Sequence, residues 1–135
     1  MYNTIIVPTD FSNEESTIKA LQKAEKLSDS GRIILLHILD HIPAYALAEI
    51  PTDLMQDLVP KTRDALKELV SMSKVEAGTE VRNGNSYRQI IKAAEEHKAD
   101  LIIINSHRPG LQDYLLGSTA AKVVRHSPSS VLVVR

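Results

Sequence analysis

The sequence predicts one doubly wound α/β domain, in which helices cover both faces of a mostly parallel, five-stranded sheet. Short apolar runs rich in β-branched residues alternate with segments of helical spacing. The runs are continuous, which is typical of strands buried on both faces. Alternation of strand and helix implies right-handed crossovers between parallel strands. The predicted strands cover residues 4–7, 32–38, 79–82, 100–104 and 130–134.

Capping signals predict where two of the helices begin. Ser12 and Ser86 each open a Ser-x-x-Glu or Ser-x-x-Gln capping box, and apolar residues at helical spacing follow both boxes. We expect the first of these helices to end near Gly31. The polar run 79–82 comes before the second box and is predicted to be an edge strand.

Two further helices are predicted from apolar spacing. One covers about 53–73, where Pro60 should kink or restart it because proline has no amide donor. The other begins near Ser118 and stops before Pro128. The segment from 40 to 51 has no clear period, and we interpret it as a loop or lid.

Composition restricts the possible functions. The chain has 135 residues, 43% of them hydrophobic, which is the size of one ordinary domain, so we expect residues 1–135 to form it. A net charge of −1 does not indicate the strongly basic surface that binds nucleic acid or an anionic membrane. The absence of cysteine excludes disulfides, thiolate zinc sites and cysteine nucleophiles. With no signal peptide or membrane-spanning run, we expect a cytoplasmic protein.

The first candidate site segment is Pro8-Thr9-Asp10, which follows the first strand. Open α/β sheets bind ligands outside the carboxyl ends of their strands, where the strand order reverses. The Asp10 carboxylate can accept hydrogen bonds from a ribose hydroxyl or help to hold a metal ion. The alternative is a residue at the helix entry that satisfies nearby amides.

The second segment begins at Asn105, directly after an apolar strand, and its polarity is poorly explained by core packing. Arg108 carries a planar fork of donors that suits phosphate, with Ser106 and His107 beside it. The alternatives are a surface cation at Arg108 and a structural hydrogen-bonding group at His107.

The third segment, Gly117-Ser118-Thr119, opens the last helix, where free amides and the helix dipole suit a phosphate. The alternative is a plain helix cap. Dinucleotide, P-loop and hydrolase-elbow motifs are absent from the sequence. The other histidines do not form a metal set and are predicted to be structural or exposed: His37, His41, His97 and His126.

Taken together, the segments 5–12, 34–38 and 106–135 resemble the universal stress protein family over essentially the whole chain. The nucleotide-binding branch of that family carries Gly-x2-Gly-x9-Gly followed by Ser or Thr. Here Gly117-Ser118 keeps the last glycine, Asn105 stands at the first, and Ser-His-Arg-Pro at 106–109 is similar to a variant form of the loop. The resemblance implies an adenine nucleotide alpha hydrolase-like fold, with ATP or AMP as the ligand and Mg²⁺ as a companion ion of ATP.

The resemblance also implies a role for each candidate residue. Asp10 would meet the ribose, with Pro8 and Thr9 beside the base, and the Ile38 backbone would read adenine. Asn105 would lie near the ribose and the α-phosphate. The phosphates would be surrounded by Ser106, His107, Arg108, Gly117, Ser118 and Thr119.

Association with a second copy is the last implication of the resemblance. A homodimer would form through the strand from Ser130 to Arg135, and a physical reason supports this: an exposed apolar edge otherwise invites uncontrolled pairing. Higher oligomers remain open. We expect a stress-response regulatory module in which nucleotide occupancy is sensed by an unidentified protein partner.

Other functions stay open on sequence grounds. One is a slow ATP hydrolase or phosphotransferase, in which His107 or Asp10 orients the nucleophile and Arg108 stabilises phosphate charge. Another is a receiver-like domain with Asp10 as phospho-acceptor. A third is a dimerisation module without nucleotide. We favour binding because no convincing general base or activated nucleophile accompanies the phosphate segments.

Overall fold

Strands and helices alternate along the chain in the predicted order. The computed structural model describes residues 1–40, 52–106 and 117–134. The elements are β1 (Tyr2–Pro8), α1 (Glu14–Leu27), β2 (Ser28–Asp40), α2 (Thr52–Ser73), β3 (Gly78–Gly84), α3 (Ser86–His97), β4 (Leu101–Asn105), α4 (Ser118–His126) and β5 (Ser130–Val134). Within these ranges, no helix combines the length and apolarity needed to cross a membrane. The loop or lid predicted at 40–51 lies outside the described residues beyond Asp40, which ends β2.

The strands form a parallel sheet in the order β3-β2-β1-β4-β5. The chain adds β2 and β3 on one side of β1 and then places β4 and β5 on the other. The strand order therefore reverses between β1 and β4, and a ligand cleft is expected outside their carboxyl ends. The predicted doubly wound class is confirmed, and β3 is an edge strand as expected.

Two apolar clusters cover the two faces of the sheet. Neighbouring residues of β1 divide between them: Ile5 belongs to one cluster and Ile6 to the other, and both are fully buried. The first cluster packs α1 and α2 against the sheet through Leu21 and Leu66. The second packs α3 and α4 against the opposite face. Burial on both faces explains why the strand sequences are continuously apolar.

Each helix cap lies one residue from the predicted serine, later in the chain for α1 and earlier for α3. The side-chain oxygen of Asn13 accepts a hydrogen bond from the Ser16 amide at 3.0 Å, and that of Asn85 accepts one from the Arg88 amide at 3.3 Å. The prediction of capping boxes opened by serine was therefore wrong at both helices. Asparagine caps as well as serine does, so either residue of a Ser-Asn or Asn-Ser pair satisfies the free amides.

The end of α1 and the course of α2 also differ from the predictions. Helix α1 ends at Leu27 instead of near Gly31, and β2 begins at once with Ser28. Helix α2 continues through Pro60, so the predicted restart there is wrong. Burial of Leu66 in the core holds the helix beyond the proline, since packing contributes more to helix stability than local propensity does.

Candidate functional site

A cleft of about 260 Å³ opens at the carboxyl ends of β1, β2 and β4, where the strand order reverses. Most of the residues predicted for the site line it. Ser118 is exposed and is not part of the cleft wall formed by the described residues, and His107 and Arg108 lie outside the described residues. The predicted residues that line the cleft are Pro8, Thr9, Asp10, Ile38, Asn105, Ser106, Gly117 and Thr119.

Thr9 is fixed in the cleft wall by its own hydrogen bonds. Its amide donates to the Leu36 carbonyl oxygen at 2.8 Å, and its hydroxyl oxygen accepts from the Phe11 amide at 3.2 Å. The hydroxyls of Thr9 and Thr17 are 2.9 Å apart, and that of Thr17 donates to the Asn13 carbonyl oxygen. The Thr9 hydroxyl is therefore the donor to Thr17. Its proton is used inside the protein, so Thr9 shapes the cleft rather than donating to a ligand.

Asp10 both satisfies a backbone amide at the entry to α1 and presents its carboxylate to the cleft. Its Oδ1 atom accepts from the Ser12 amide at 2.9 Å, while the exposed carboxylate borders the cleft. Partial burial is the largest influence on the pKa of Asp10 and raises it, but hydrogen bonds from Ser12 and from the Asp10 amide, together with the charge of His37, outweigh burial and lower the pKa. The side chain is therefore an ionised acceptor at neutral pH, suited to ribose hydroxyl donors.

His37 is a cleft residue that the sequence analysis did not assign to the site. Its Nδ1 atom donates to the Thr9 carbonyl oxygen at 2.7 Å, which leaves Nε2 as an acceptor when the ring is neutral. The ring packs against Phe11 with centroids 4.6 Å apart. Phe11 has a positive φ of 64°, so these contacts hold a turn that few residues other than glycine adopt. One signal was available: His37 directly precedes Ile38 at the carboxyl end of a predicted strand.

Asn105 and Ser106 carry the end of β4 into the cleft. The Asn105 side-chain amide donates to the Ser16 carbonyl oxygen at 3.4 Å, a long contact that ties β4 to α1. Ser106 is buried, and its amide donates to the Val134 carbonyl oxygen at 3.0 Å. The Asn105 amide group is thus directed at α1, and its expected place beside a nucleotide stays a prediction.

The N-terminus of α4 borders the cleft with backbone amides that have no partner within the helix. Gly117 is the N-cap, and being glycine it supplies no side-chain acceptor. Its carbonyl oxygen accepts from the Ala121 amide at 2.9 Å, so the helix starts there in regular form. The first amides of a helix have no intrahelical partner, and Thr119 and Ala120 line the cleft. With no acid in the first turn, this end of the cleft suits an anion.

The donor set for a metal ion is small. Among the described residues, no group of three or more His, Asp and Glu side chains could hold a metal ion. Of the described residues that line the cleft, Asp10 is the one that carries a carboxylate. One carboxylate together with ligand phosphates is a set that Mg²⁺ accepts, because this ion usually keeps several waters and takes few protein ligands. The residues present therefore fit Mg²⁺ as a companion of a phosphate ligand.

The parallel sheet and the polar cleft at its switch point define a small domain of the doubly wound α/β class. The chain belongs to the universal stress protein family, whose family model matches residues 1–135. Universal stress protein G of Escherichia coli O157:H7 is 35% identical to this chain over 142 aligned positions that cover 100% of both proteins. These matches confirm the resemblance found in the sequence.

Solved structures share the fold. The structure of protein MJ0577 from Methanocaldococcus jannaschii superposes with a TM-score of 0.79 at 28% identity, covering 99% of this chain and 96% of that one. A universal stress protein in complex with cAMP superposes with a TM-score of 0.72 at 21% identity, covering 99% and 97%. The Archaeoglobus fulgidus protein in complex with dAMP does so with a TM-score of 0.63 at 17% identity, covering 99% and 98%. At such identities the last two establish the shared fold alone.

Proposed function

We propose that this protein binds an adenine nucleotide, ATP or AMP, in the cleft between β1 and β4 and acts as a regulatory module of the stress response. One observation carries the proposal: an ionised carboxylate at Asp10 and the first amides of α4, which have no partner within the helix, border the same cleft. A nucleotide offers hydroxyl donors on its ribose and negative charge on its phosphates. The cleft therefore complements both parts of one ligand.

In this arrangement Asp10 accepts from the ribose hydroxyls, and Pro8, Thr9 and the Ile38 backbone border the base. With ATP bound, Asp10 and the phosphates would hold Mg²⁺, which would neutralise part of the phosphate charge. The relatives with cAMP and dAMP support an adenine ligand. The residues assigned to the phosphates are Asn105, Ser106, His107, Arg108, Gly117, Ser118 and Thr119.

Binding is favoured over hydrolysis by the state of Asp10. Because its pKa is lowered, the carboxylate is a weak base at neutral pH and draws little proton from an attacking water. His37 has Nδ1 committed to the Thr9 carbonyl oxygen and packs on Phe11, so it serves the cleft wall. Occupancy is then the signal, read by a protein partner in the cytoplasm.

We further propose that the protein is a homodimer through β5. Residues Val131 to Val134 are only partly buried, although each packs against one of the two core clusters. An edge strand with apolar side chains on both faces offers free backbone groups and apolar surface to a second copy. A two-fold pairing of β5 satisfies both at once.

Nucleotide retained by the freshly purified protein tests the main proposal. Acid denaturation followed by chromatography should release about one adenine nucleotide per chain, since a largely preformed cleft holds its ligand through purification. Protein that has lost the ligand should take up ATP or AMP in equilibrium dialysis. Absence of adenine nucleotide in both experiments would contradict the proposal.

Variants link that nucleotide to the cleft. Gly117→Glu places a like charge at the phosphate end, and Asp10→Ala removes the ribose acceptor, so both should release and take up little nucleotide. Gly78→Glu is the matched control for the first variant, because a Cβ atom at Gly78 has ordinary contact, 3.9 Å from the Ile33 carbonyl oxygen. Retention by Gly117→Glu equal to that of Gly78→Glu would place the nucleotide elsewhere.

A further inference from the structure

A basic and aromatic patch lies on the face of the molecule formed by α3 and α4. We call it the Tyr87 patch; it consists of Tyr87, Arg88, Lys122 and His126. The Arg88 Cζ atom is 5.7 Å from the centroid of the Tyr87 ring, and the Lys122 Nζ atom is 5.3 Å from it. The His126 ring stacks on the same ring with centroids 5.5 Å apart and an interplanar angle of 30°. The Arg88 Nε atom donates to the Tyr87 hydroxyl oxygen at 3.1 Å.

The positive charge of this patch is not balanced by acidic side chains of the described residues. Across residues 1–40, 52–106 and 117–134, no ion pair involves Arg88, Lys122 or His126, and all three are exposed. Helix α4 contains no acidic residue, and the first turn of α3 contains none. By contrast, Arg82 on the neighbouring strand pairs with both Glu80 and Glu96.

Physical chemistry makes such an arrangement a ready site for an anion. The π face of Tyr87 attracts each cation, whereas the cations repel one another. An anion between them removes the repulsion and keeps the cation–π contacts. Folding already holds the positive charges close together, and this preorganisation favours anion binding.

We propose that the Tyr87 patch is a docking surface for an acidic segment of another protein. Carboxylates fit the planar fork of Arg88, and Lys122 offers a second point charge nearby. Two carboxylates a few residues apart would engage both. Nucleic acid fits less well because His126 and two cations already contact the ring on which a base would stack.

The patch lies beside the cleft but does not depend on its ligand. Ser86, which precedes Tyr87, lines the cleft, as does Ala120, two residues before Lys122. A segment docked on the patch would therefore sit next to the elements that border the cleft. The docking proposal goes beyond nucleotide binding and stands without it.

A labelled acidic peptide tests the proposal. A hexapeptide of Glu and Asp with an uncharged fluorescent dye is titrated with the full chain, and fluorescence anisotropy reports binding. We expect saturable binding that weakens as salt is raised, and no binding of the matched Gln and Asn peptide. Arg88→Glu and Lys122→Glu should each lower the affinity by about tenfold or more, because each reverses a contact charge.

Lys67→Glu is the matched control, since Lys67 is exposed on α2, on the opposite side of the sheet, and this variant should bind as the wild type does. Circular dichroism confirms folding, and Arg88→Gln with Lys122→Gln replaces any variant that fails to fold. Equal affinity of the patch variants and Lys67→Glu would overturn the proposal. Binding of a single-stranded oligonucleotide at the patch, without binding of the acidic peptide, would overturn it as well.

Discussion

At Gly31 the backbone of β2 lies directly against the backbone of β1. A Cβ atom there would lie 1.8 Å from the carbonyl oxygen of Asn3. The crowding arises where the register of β1 and β2 shifts between Tyr2 and Thr4, so that extra residues of β2 bulge against β1. Only a residue without a side chain fits this position.

We predict that Gly31→Ala destabilises the protein by about 2 kcal/mol or more, because the methyl group forces the backbones apart. Gly78→Ala is the control, since its Cβ atom would have ordinary contact, 3.9 Å from the Ile33 carbonyl oxygen. Urea unfolding of both variants measures the difference. Equal stability of the two would show that β1 and β2 do not approach as described.

Single residues also show where sequence reasoning reached its limit. Asp10 was predictable because it follows the first strand, and Gly117 because it opens the last helix; both signals can be read from the sequence. His37 was missed although it lies at the carboxyl end of a predicted strand, because its place in the cleft wall depends on the Thr9 carbonyl oxygen, 28 residues away in the chain. The cap at Asn13 was missed since the Ser12 amide is taken by Asp10, a choice that local pattern does not reveal.

Among the elements, the start of β4 is tied to β1 by one carboxylate. Asp100 accepts from the Asn3 amide at 3.0 Å with Oδ2 and from the Thr4 amide at 3.0 Å with Oδ1. Burial is the largest influence on the pKa of Asp100 and raises it, but the hydrogen bonds from Asn3, Thr4 and its own amide outweigh burial and lower the pKa. The ionised form is therefore favoured in the folded state.

We predict that Asp100→Asn lowers the free energy of unfolding at pH 7 by about 1–2 kcal/mol, a value reduced by partial exposure to solvent. Because the folded pKa is depressed, the stabilisation is fully present above the ordinary value of 3.8 and is lost as the pH falls through the folded pKa. The difference in the free energy of unfolding between wild type and Asp100→Asn should therefore become smaller as the pH falls below 3.8. Urea unfolding at stepwise lower pH measures this difference.

Glu25→Gln, which alters an exposed carboxylate on α1, is the control and should change stability little. If the difference in free energy of unfolding between wild type and Asp100→Asn stays constant as the pH falls, the Asp100 carboxylate does not bind the β1 amides.

Element type and order were predictable, whereas boundaries were not. Burial on both faces leaves continuous apolar runs, so the strands could be recognised and their alternation with helices implied a parallel sheet. Residues 28–31 carry no such run, and they join β2 because of contacts with β1. Pro60 suggested a break in α2, but the core position of Leu66 keeps the helix in place beyond it.

For the whole molecule, the two edges of the sheet differ in chemistry. The β3 edge carries Glu80 and Arg82, whose charges and mutual ion pair oppose pairing with another strand. The β5 edge carries Val131, Leu132 and Val133, which are apolar and partly exposed. Association of two copies is therefore expected at β5.

We predict that Val133→Glu shifts the protein from dimer to monomer in sedimentation equilibrium at micromolar concentration, because paired β5 strands would bury two like charges. Val59→Glu, at a valine 37% exposed on α2, is the matched control and should remain dimeric. A monomeric wild type, or a dimer that survives in folded Val133→Glu protein, would exclude β5 as the interface.

Chemical-shift mapping with AMP tests the central claim most directly. The ¹⁵N-labelled protein is titrated with AMP, and GMP serves as the control for the base. Nucleotide in the cleft predicts saturable shifts centred on the amides of Asp10, Ile38 and Thr119, with weaker effects from GMP. The absence of shifts with millimolar AMP and ATP, or shifts confined to the outer face of α1 and α2, would contradict nucleotide binding at this site.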